Sequence, residues 1–124
     1  MLLDTNAISD LLRCDLKLVD LLGRDDHHFP AIALGEYRFG LVQSTQKDTL
    51  SRLLDNWITQ WAVLPVGEQT TTYYASIRSR LREKGKPIPE NDIWIAALAM
   101  QYGLAIASKD KHFDHVSGVT RHSW

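Results

Sequence analysis

Four of the 15 acidic residues differ from the rest in where they fall along the chain. Each follows a short apolar run or opens a helical pattern, and the four are Asp4, Glu36, Asp92 and Asp110. Carboxylates that lie close together in a low dielectric raise one another's pKa, and a divalent cation removes that repulsion. Mg²⁺ and Mn²⁺ prefer oxygen ligands, polarise phosphodiesters and lower the pKa of an attacking water. The pattern therefore predicts a site for one or two such cations, suited to hydrolysing a phosphodiester bond.

Helix N-capping is an alternative role for any single acid or amide in this group. Asp and Asn favour the cap position because their side-chain oxygens accept hydrogen bonds from the first N–H groups of a helix. Asn6, Asn91 and Asp92 are candidate caps on this reasoning. A shared site is favoured for the four acids together, because Asp92 and Asp110 flank a segment that is almost wholly apolar.

Short apolar runs alternate with helical patterns along the chain. The pattern predicts strands at residues 2–3, 29–34, 62–66 and 104–107, and one more short strand within 116–124. Helices are predicted within 7–22, through 36–39, and over 47–61, 68–84 and 91–102. Pro30 is expected near the start of its strand or at a sheet edge. This order predicts an α/β fold, a three-layer α/β/α sandwich around a central, mainly parallel sheet. Ligands bind such sheets at the carboxyl ends of the strands, where the four acids are expected to meet.

The composition is that of one globular domain spanning residues 1–124. Hydrophobic residues make up 44% of the chain and charged residues 23%, a balance that supports a single core. The net charge of −1 excludes a protein coated in positive charge but allows a local basic patch. Cys14 is the only cysteine, and the longest apolar run, 93–100, is too short for a membrane helix. With no signal-peptide pattern at its start, the chain is expected to be a soluble cytoplasmic protein.

A basic segment precedes the Pro-rich loop that leads to Asp92. Five cations and one acid give residues 78–86 a local charge of +4. Four of these cations are candidate RNA contacts: Arg78, Arg82, Lys84 and Lys86. Two interpretations of this segment have equal weight. It contacts an RNA backbone, or it is a solvated helix end whose cations interact favourably with the helix dipole.

Two aromatic and two histidine side chains complete the candidate residues. Trp57 and Trp61 lie one turn apart on one face of a predicted helix. Core packing is the favoured explanation, and a groove for a partner helix is the alternative, since aromatic residues are enriched at interfaces. His112 and His115 could form a metal pair, but zinc is not expected, because no cysteine is near and Phe113 between them is expected in the core.

Four ordered segments of the chain resemble the PIN domain family, specifically the ribonuclease toxins of VapBC toxin–antitoxin pairs. Residues 2–13, LLDTNAISDLLR, resemble the opening strand of that family with its acid, Thr and Asn. Residues 35–40, GEYRFG, resemble the second box, with Tyr37 where Leu is usual. Residues 89–110, PENDIWIAALAMQYGLAIASKD, resemble the third box and the strand before the last acid. Residues 111–116, KHFDHV, resemble the H-F segment.

The resemblance implies a metal-dependent endoribonuclease that leaves 5′-phosphate and 3′-hydroxyl ends. By position, the metal-binding acids of the family fall on Asp4, Glu36, Asp92 and Asp110, with Asp114 as a further candidate. The candidates for orienting ligands or water are Thr5, Asn6 and Asn91. The family also implies a homodimer and a VapB-type antitoxin that blocks the site. The face carrying Trp57 and Trp61 would then receive an antitoxin helix.

Three other functions are compatible with parts of this pattern. A phosphorylation-receiver domain has a similar length and an acidic metal pocket, but it needs paired acids after the first strand, and Asp4 stands alone. A phosphatase of the haloacid-dehalogenase type needs an acid at position 6, which is Asn6. A catalytically silent PIN-like binding module is a further alternative, although the presence of all four acids gives it no support.

Overall fold

An all-parallel sheet of five strands, flanked by six helices, forms the fold in the computed structural model, which describes residues 1–124. The strands are β1 (Leu2–Leu3), β2 (His28–Pro30), β3 (Ala62–Leu64), β4 (Ile106–Ala107) and β5 (Arg121–His122). The helices are α1 (Thr5–Leu12), α2 (Leu16–Leu22), α3 (Ala31–Leu41), α4 (Lys47–Gln60), α5 (Glu68–Glu83) and α6 (Glu90–Tyr102). A 3₁₀ helix, Lys111–His115, lies between β4 and β5. The predicted α/β class is confirmed.

Strand β1 lies at the centre of the sheet, whose order is β3-β2-β1-β4-β5. The chain builds outward from β1 through β2 and β3, and then returns to the other side of β1 with β4. Leu3 of β1 is in register with Ala107 of β4 across this reversal. Ligands bind parallel sheets in the crevice beyond the strand ends at such a reversal. Asp4 and Ser108, the residues directly after these two strands, lie at that crevice.

The second strand ends earlier than the sequence predicts. The predicted strand over 29–34 is present as His28–Pro30, but residues 31–34 belong to α3 instead, which begins at Ala31. Pro30 is the last residue of a strand that has a neighbour on both sides, so it lies neither at the strand start nor at a sheet edge. Its φ of −66° suits the start of a helix. The first N–H groups of a helix have no partner within it, so the N–H that proline lacks costs no helical hydrogen bond. Glu36 consequently lies in the second turn of α3 rather than the first.

The predicted strands over 62–66, 104–107 and 116–124 are present but shorter, at β3, β4 and β5. The helical pattern over 7–22 divides into α1 and α2, because Cys14 between them adopts a left-handed φ of 57°. Asp4 caps α1, and its carboxylate accepts a hydrogen bond from the Thr5 N–H. None of the three predicted caps has that role: Asn6 and Asn91 lie inside helices, as does Asp92, and Pro89 precedes α6.

Helix α6 supplies much of the core, as its nearly continuous apolar pattern predicts. Its buried apolar residues are Ile93, Ile95, Ala96, Ala97, Leu98 and Ala99. Gly103 ends the helix with a φ of 64°, a left-handed conformation that glycine adopts without strain. Phe29 from β2 and Phe113 from the 3₁₀ helix are fully buried in the same core. No helix of the chain combines the length and the apolar character needed to cross a bilayer.

Candidate active site

The four predicted acids line one cleft at the carboxyl edge of the sheet. Asp4 follows β1 and Asp110 comes shortly after β4. Asp92 lies in the first turn of α6, and Glu36 lies in the second turn of α3. The cleft has a volume of about 490 Å³. Four segments that are distant in sequence therefore each contribute one carboxylate to the same cleft.

Asp4 is firmly held by three hydrogen-bond donors. The backbone N–H of Thr5 donates to Oδ1 at 2.7 Å, while Ser108 Oγ and Asn6 Nδ2 donate to Oδ2 at 2.7 and 2.9 Å. Burial raises the pKa of Asp4 and the Asp110 charge adds to the rise, whereas the three hydrogen bonds oppose it. With both oxygens engaged, the carboxylate has little freedom to rotate.

Asn6 and Ser108 connect Asp4 to the loop after β4. Asn6 Nδ2 also donates to Ser108 Oγ at 3.2 Å, and Asn6 Oδ1 accepts from the backbone N–H of Lys109 at 3.1 Å. Ser108 Oγ accepts from the backbone N–H of Asp110 at 2.9 Å. The hydroxyl thereby uses its one donor and both acceptor sites. These bonds fix Asp110 relative to Asp4, and they place Asn6 where an orienting role requires it.

His112 lies between Asp92 and Asp110. Its Nδ1 is 3.1 Å from Asp92 Oδ2 and 2.9 Å from Asp110 Oδ1. Asp110 Oδ1 also accepts from the backbone N–H of His112 at 2.9 Å, which begins the 3₁₀ helix. One ligand atom from each of the three side chains lies within 4.8 Å of the other two. His112 thus lies with two of the acids, whereas His115, with which it could have formed a metal pair, lies outside the cluster.

Glu36 and Thr5 each present a buried oxygen without a partner. Glu36 Oε1 and Thr5 Oγ1 are shielded from solvent, and neither makes a hydrogen bond. Burial raises the pKa of Glu36 and the charge of Asp4 raises it further, while the Asn91 amide opposes the rise. Buried polar atoms without partners are uncommon because each carries an uncompensated desolvation cost. Both oxygens lie in residues of the cleft wall, where a bound cation with its water ligands would supply the missing partner.

Asp92 has the largest pKa shift among the carboxyl groups of the cleft. Burial raises the pKa of Asp92 to about 6; the charges of Asp4 and Asp110 add to the rise, and the His112 hydrogen bond opposes it. Asp92 in the metal-free cleft therefore holds its proton to a higher pH than an isolated aspartate does. Clustered carboxylate oxygens are the donors that Mg²⁺ and Mn²⁺ prefer, and either cation would favour the ionised forms. The residues present thus fit a divalent cation.

Asp114 does not line the cleft. Its two carboxylate oxygens accept from Arg121 Nε and Nη2 at 2.8 and 2.9 Å. Arg121 Nη1 also donates to the backbone oxygen of Ser108 at 3.0 Å. This bidentate pair engages Asp114 on the surface, so the expectation that it assists the four acids is corrected. Arg121 thereby joins β5 both to the 3₁₀ helix, through Asp114, and to the residue after β4, through Ser108.

The four candidate RNA contacts also lie outside the acidic cleft. Arg78 donates to the Tyr74 hydroxyl at 2.6 Å and lies 3.5 Å from Glu90. Lys84 Nζ donates to Ser117 Oγ at 2.8 Å. Arg82 lines a separate surface pocket together with Arg78, and Lys86 is exposed. A solvated helix end describes this placement, and contact with RNA at these residues stays a prediction.

Trp57 and Trp61 are half-buried and pack against each other, with ring centroids 4.5 Å apart and ring planes tilted by 36°. Trp61 also contacts His27 edge-on at 5.0 Å and Phe29 at 5.8 Å. The pair therefore packs against the core, as the favoured interpretation predicted, while part of each ring stays accessible. A partner groove at this face stays a prediction.

One basic side chain that lines the cleft was missed by the sequence analysis. Arg13 follows α1, is exposed, and shares the cleft wall with Ser9 and Tyr37. These groups extend the cleft beyond the carboxylates with donors suited to phosphate and ribose oxygens. Asn6, Ser9 and Arg13 recur at helical spacing, so a polar face on α1 was a detectable signal.

An acidic cleft at the reversal of a five-stranded parallel sheet defines an α/β domain suited to holding divalent cations. The model of the PIN domain family matches residues 1–119, and the chain belongs to this family. Toxin FitB of Neisseria gonorrhoeae is 35% identical over 121 residues, covering 89% of this chain and 87% of the relative. Ribonuclease VapC4 of Mycobacterium tuberculosis is 32% identical over 84 residues, covering 66% of this chain and 65% of the relative.

Solved structures agree with this assignment. The crystal structure of FitAcB from Neisseria gonorrhoeae has a TM-score of 0.83 and 33% sequence identity, and the match covers 97% of this chain and 94% of the other. Similar structures also include a toxin–antitoxin complex and FitAB bound to a DNA fragment. Within the PIN domain family, the chain is of the VapC and FitB toxin type.

Proposed function

We propose that this protein is the ribonuclease toxin of a type II toxin–antitoxin pair and hydrolyses RNA phosphodiester bonds with Mg²⁺ or Mn²⁺. The observation that carries the proposal is the convergence of Asp4, Glu36, Asp92 and Asp110 on one cleft with raised pKa values for three of them. The toxin and ribonuclease names of relatives that align with most of the chain support the same activity.

The side chains of the cleft would have different roles in binding and orienting the cation and the RNA. The charge of Asp4 acts on both Glu36 and Asp92. Its three hydrogen bonds fix its free lone pairs in one direction, so it would serve as the central ligand of one or two cations. When bound, a divalent cation would polarise the phosphodiester and stabilise charge on the leaving 3′-oxygen.

The wall of the cleft beyond the acids suits an RNA strand. Arg13 is the cationic side chain on that wall, and Ser9, Ser44 and Gln46 add neutral polar groups. A guanidinium binds phosphate oxygens in a bidentate manner, so Arg13 would hold a phosphate next to the one that is cleaved. Arg13 would position the strand without selecting its sequence, because a phosphate contact carries no information about the bases.

Cleavage by purified protein with and without divalent cation tests the proposal. Wild-type protein should cut RNA with Mg²⁺ or Mn²⁺ and leave 5′-phosphate ends, and a chelator should abolish the cleavage. Asp4→Asn should lower the rate by about 100-fold or more, because it removes the central charged ligand. Asp20→Asn, at an exposed position of α2, is the matched control and should keep the wild-type rate. Full metal-dependent activity in Asp4→Asn would contradict the assignment. No cleavage by the wild-type protein would favour a silent PIN-like binding module.

An antitoxin partner and a homodimer complete the proposal. The support is the toxin type of the relatives, one of which has a solved complex in the same fold. Co-expression with the protein encoded by the adjacent gene should give a stable complex that does not cut RNA. Light scattering on the isolated protein should give a mass of twice the 14.1 kDa chain, and a single-chain mass would contradict the homodimer.

A further inference from the structure

We propose that His112 is itself a ligand of the cation, so that the site is a mixed nitrogen and oxygen site rather than one of carboxylates alone. The inference rests on the proposed metal dependence and extends it to a residue outside the four acids. It starts from the position of Nδ1, which lies 3.1 Å from Asp92 Oδ2 and 2.9 Å from Asp110 Oδ1.

These two separations match the spacing of ligands around a small octahedral cation. Donor atoms at about 2.1 Å from a cation and at right angles to each other lie roughly 3.0 Å apart. The pairs from His112 to Asp92 and to Asp110 both have this spacing. Ligand atoms of all three side chains lie within 4.8 Å of one another, slightly more than the roughly 4.2 Å between donors on opposite sides of one ion. The three atoms therefore need little movement to occupy three positions around one ion, provided that the proton of Nδ1 is released or resides on Nε2 when the ion binds.

The local fold holds His112 in this position independently of any ion. The backbone N–H of His112 donates to Asp110 Oδ1 at 2.9 Å, which caps the 3₁₀ helix. The next residue, Phe113, is fully buried and anchors the helix in the core. The His112 side chain is still 46% exposed, so an ion and its waters can reach the ring. Rigid placement with solvent access is what a ligand needs.

A nitrogen ligand changes which cation the site prefers. Carboxylates and water suit Mg²⁺, whereas imidazole suits metals further along the first transition series. Electrostatic attraction to the acids is nearly the same for any divalent ion, so it does not discriminate between Mg²⁺ and Mn²⁺. A ring nitrogen in the coordination sphere therefore shifts the preference towards Mn²⁺ and similar ions, and His112 is the specificity-determining residue.

Electron paramagnetic resonance of bound Mn²⁺ tests the inference without reference to activity. Mn²⁺ is added to chelator-treated protein, and electron spin-echo modulation detects a nitrogen nucleus bonded to the ion. The wild-type protein should show nitrogen modulation that changes when the histidines carry ¹⁵N. His112→Gln should lose the modulation while still binding Mn²⁺ through the acids. His115→Gln, on the same 3₁₀ helix but outside the cluster, is the matched control and should keep it.

Affinities for the two cations give a second readout. In His112→Gln the ratio of the Mg²⁺ to the Mn²⁺ dissociation constant should fall by on the order of tenfold, because only the Mn²⁺ complex depends strongly on the imidazole. Mn²⁺ bound without nitrogen modulation, or modulation that persists in His112→Gln, would overturn His112 as a ligand and leave the ribonuclease proposal intact. A wild-type protein that binds no Mn²⁺ would overturn both.

Discussion

Ser108 Oγ donates a 2.7 Å hydrogen bond to Asp4 Oδ2, although 104 positions separate the two residues in the chain. The bond is buried, and it joins the residues that directly follow two neighbouring parallel strands. Ser108 has no exposed surface, so its hydroxyl cannot exchange this contact for one with water. The orientation of the central carboxylate in the cleft therefore depends on a residue that binds no substrate.

Ser108→Ala tests this dependence. Removing the hydroxyl leaves Asp4 Oδ2 with one donor fewer and leaves the Asp110 N–H without its partner, so the free energy of unfolding should fall by about 1–3 kcal/mol. Metal affinity should fall about 10- to 100-fold, as for other residues that orient ligands. Urea unfolding and Mn²⁺ titration measure the two effects. Ser79→Ala, exposed on α5, is the control, and equal behaviour of the two variants would contradict the role of Ser108.

The raised pKa of Asp92 predicts a stability that falls as the pH rises. The folded chain binds the Asp92 proton more tightly than the unfolded chain does. The pKa of Asp92 is about 6 in the folded chain and 3.8 in the unfolded chain. The stability cost of ionising Asp92 therefore develops between about pH 4 and pH 6 and is complete above that window. Asp92→Asn should remove a cost of about 1–3 kcal/mol at pH 7 in chelator-treated protein. Urea unfolding at several pH values measures it, and a difference between variant and wild type that does not change with pH would contradict it.

Divalent cations should stabilise the wild-type protein. They bind the assembled cleft and not the unfolded chain, so the melting temperature should rise with concentration in the way that ligand saturation predicts. A cation present at 100 times its dissociation constant should add about 2.7 kcal/mol. Calorimetry with Mg²⁺, Mn²⁺ and a chelator makes the comparison, and Asp92→Asn should show a smaller rise. If the melting temperature does not change at cation concentrations that support cleavage, the proposal that the clustered acids bind the cation is contradicted.

Arg13 and Arg82 should differ in their effect on RNA binding. Arg13 lies on the wall of the acidic cleft, whereas Arg82 lines a different pocket. Arg13→Gln should weaken RNA binding. It should also reduce the slope of log affinity against log salt concentration by about 1, the contribution of one phosphate contact. Binding titrations at several salt concentrations, with a non-cleaving Asp4→Asn background, measure this. If Arg82→Gln had the larger effect, the basic segment 78–86 would be the RNA contact instead.

Trp61 should contribute more to stability than Trp57. Trp61 packs against His27 and Phe29 as well as against Trp57, whereas Trp57 has only the other tryptophan as an aromatic neighbour. Trp61→Ala should lower the free energy of unfolding by about 3 kcal/mol, and Trp57→Ala by less. Denaturant unfolding measures both. The antitoxin groove is therefore best tested with Trp57→Ala, which should weaken antitoxin binding while the fold and the ribonuclease activity persist.

The order of elements and the four acids were predictable because both depend on local patterns. Apolar periodicity identifies strands and helices, and parallel topology brings the strand ends to one edge. The end of β2 was not predictable in this way, because the apolar run after Phe29 is compatible with either a strand or a helix. Pro30 decides between them only through the conformation that it adopts in the fold.

The role of His112 could not be derived from the sequence for a similar reason. Its contact with Asp92 spans 20 positions and depends on a 3₁₀ helix of five residues that carries no periodic signal. Asp114 shows the opposite case. Its sequence position next to the site suggested participation, but Arg121, seven positions later, engages both of its oxygens. Contacts of this kind are set by packing, which the linear pattern does not record.

Because β1 pairs with β4, the cleft cannot be assembled until β4 has been synthesised. Ser108 is translated 104 positions after Asp4, so Ser108 and Asp110 become available only when the segment around residue 110 has left the exit tunnel. A nascent chain therefore carries three of the four acids without the strand that brings them together. Any activity that needs the four carboxylates together is therefore expected only after β4 has paired with β1.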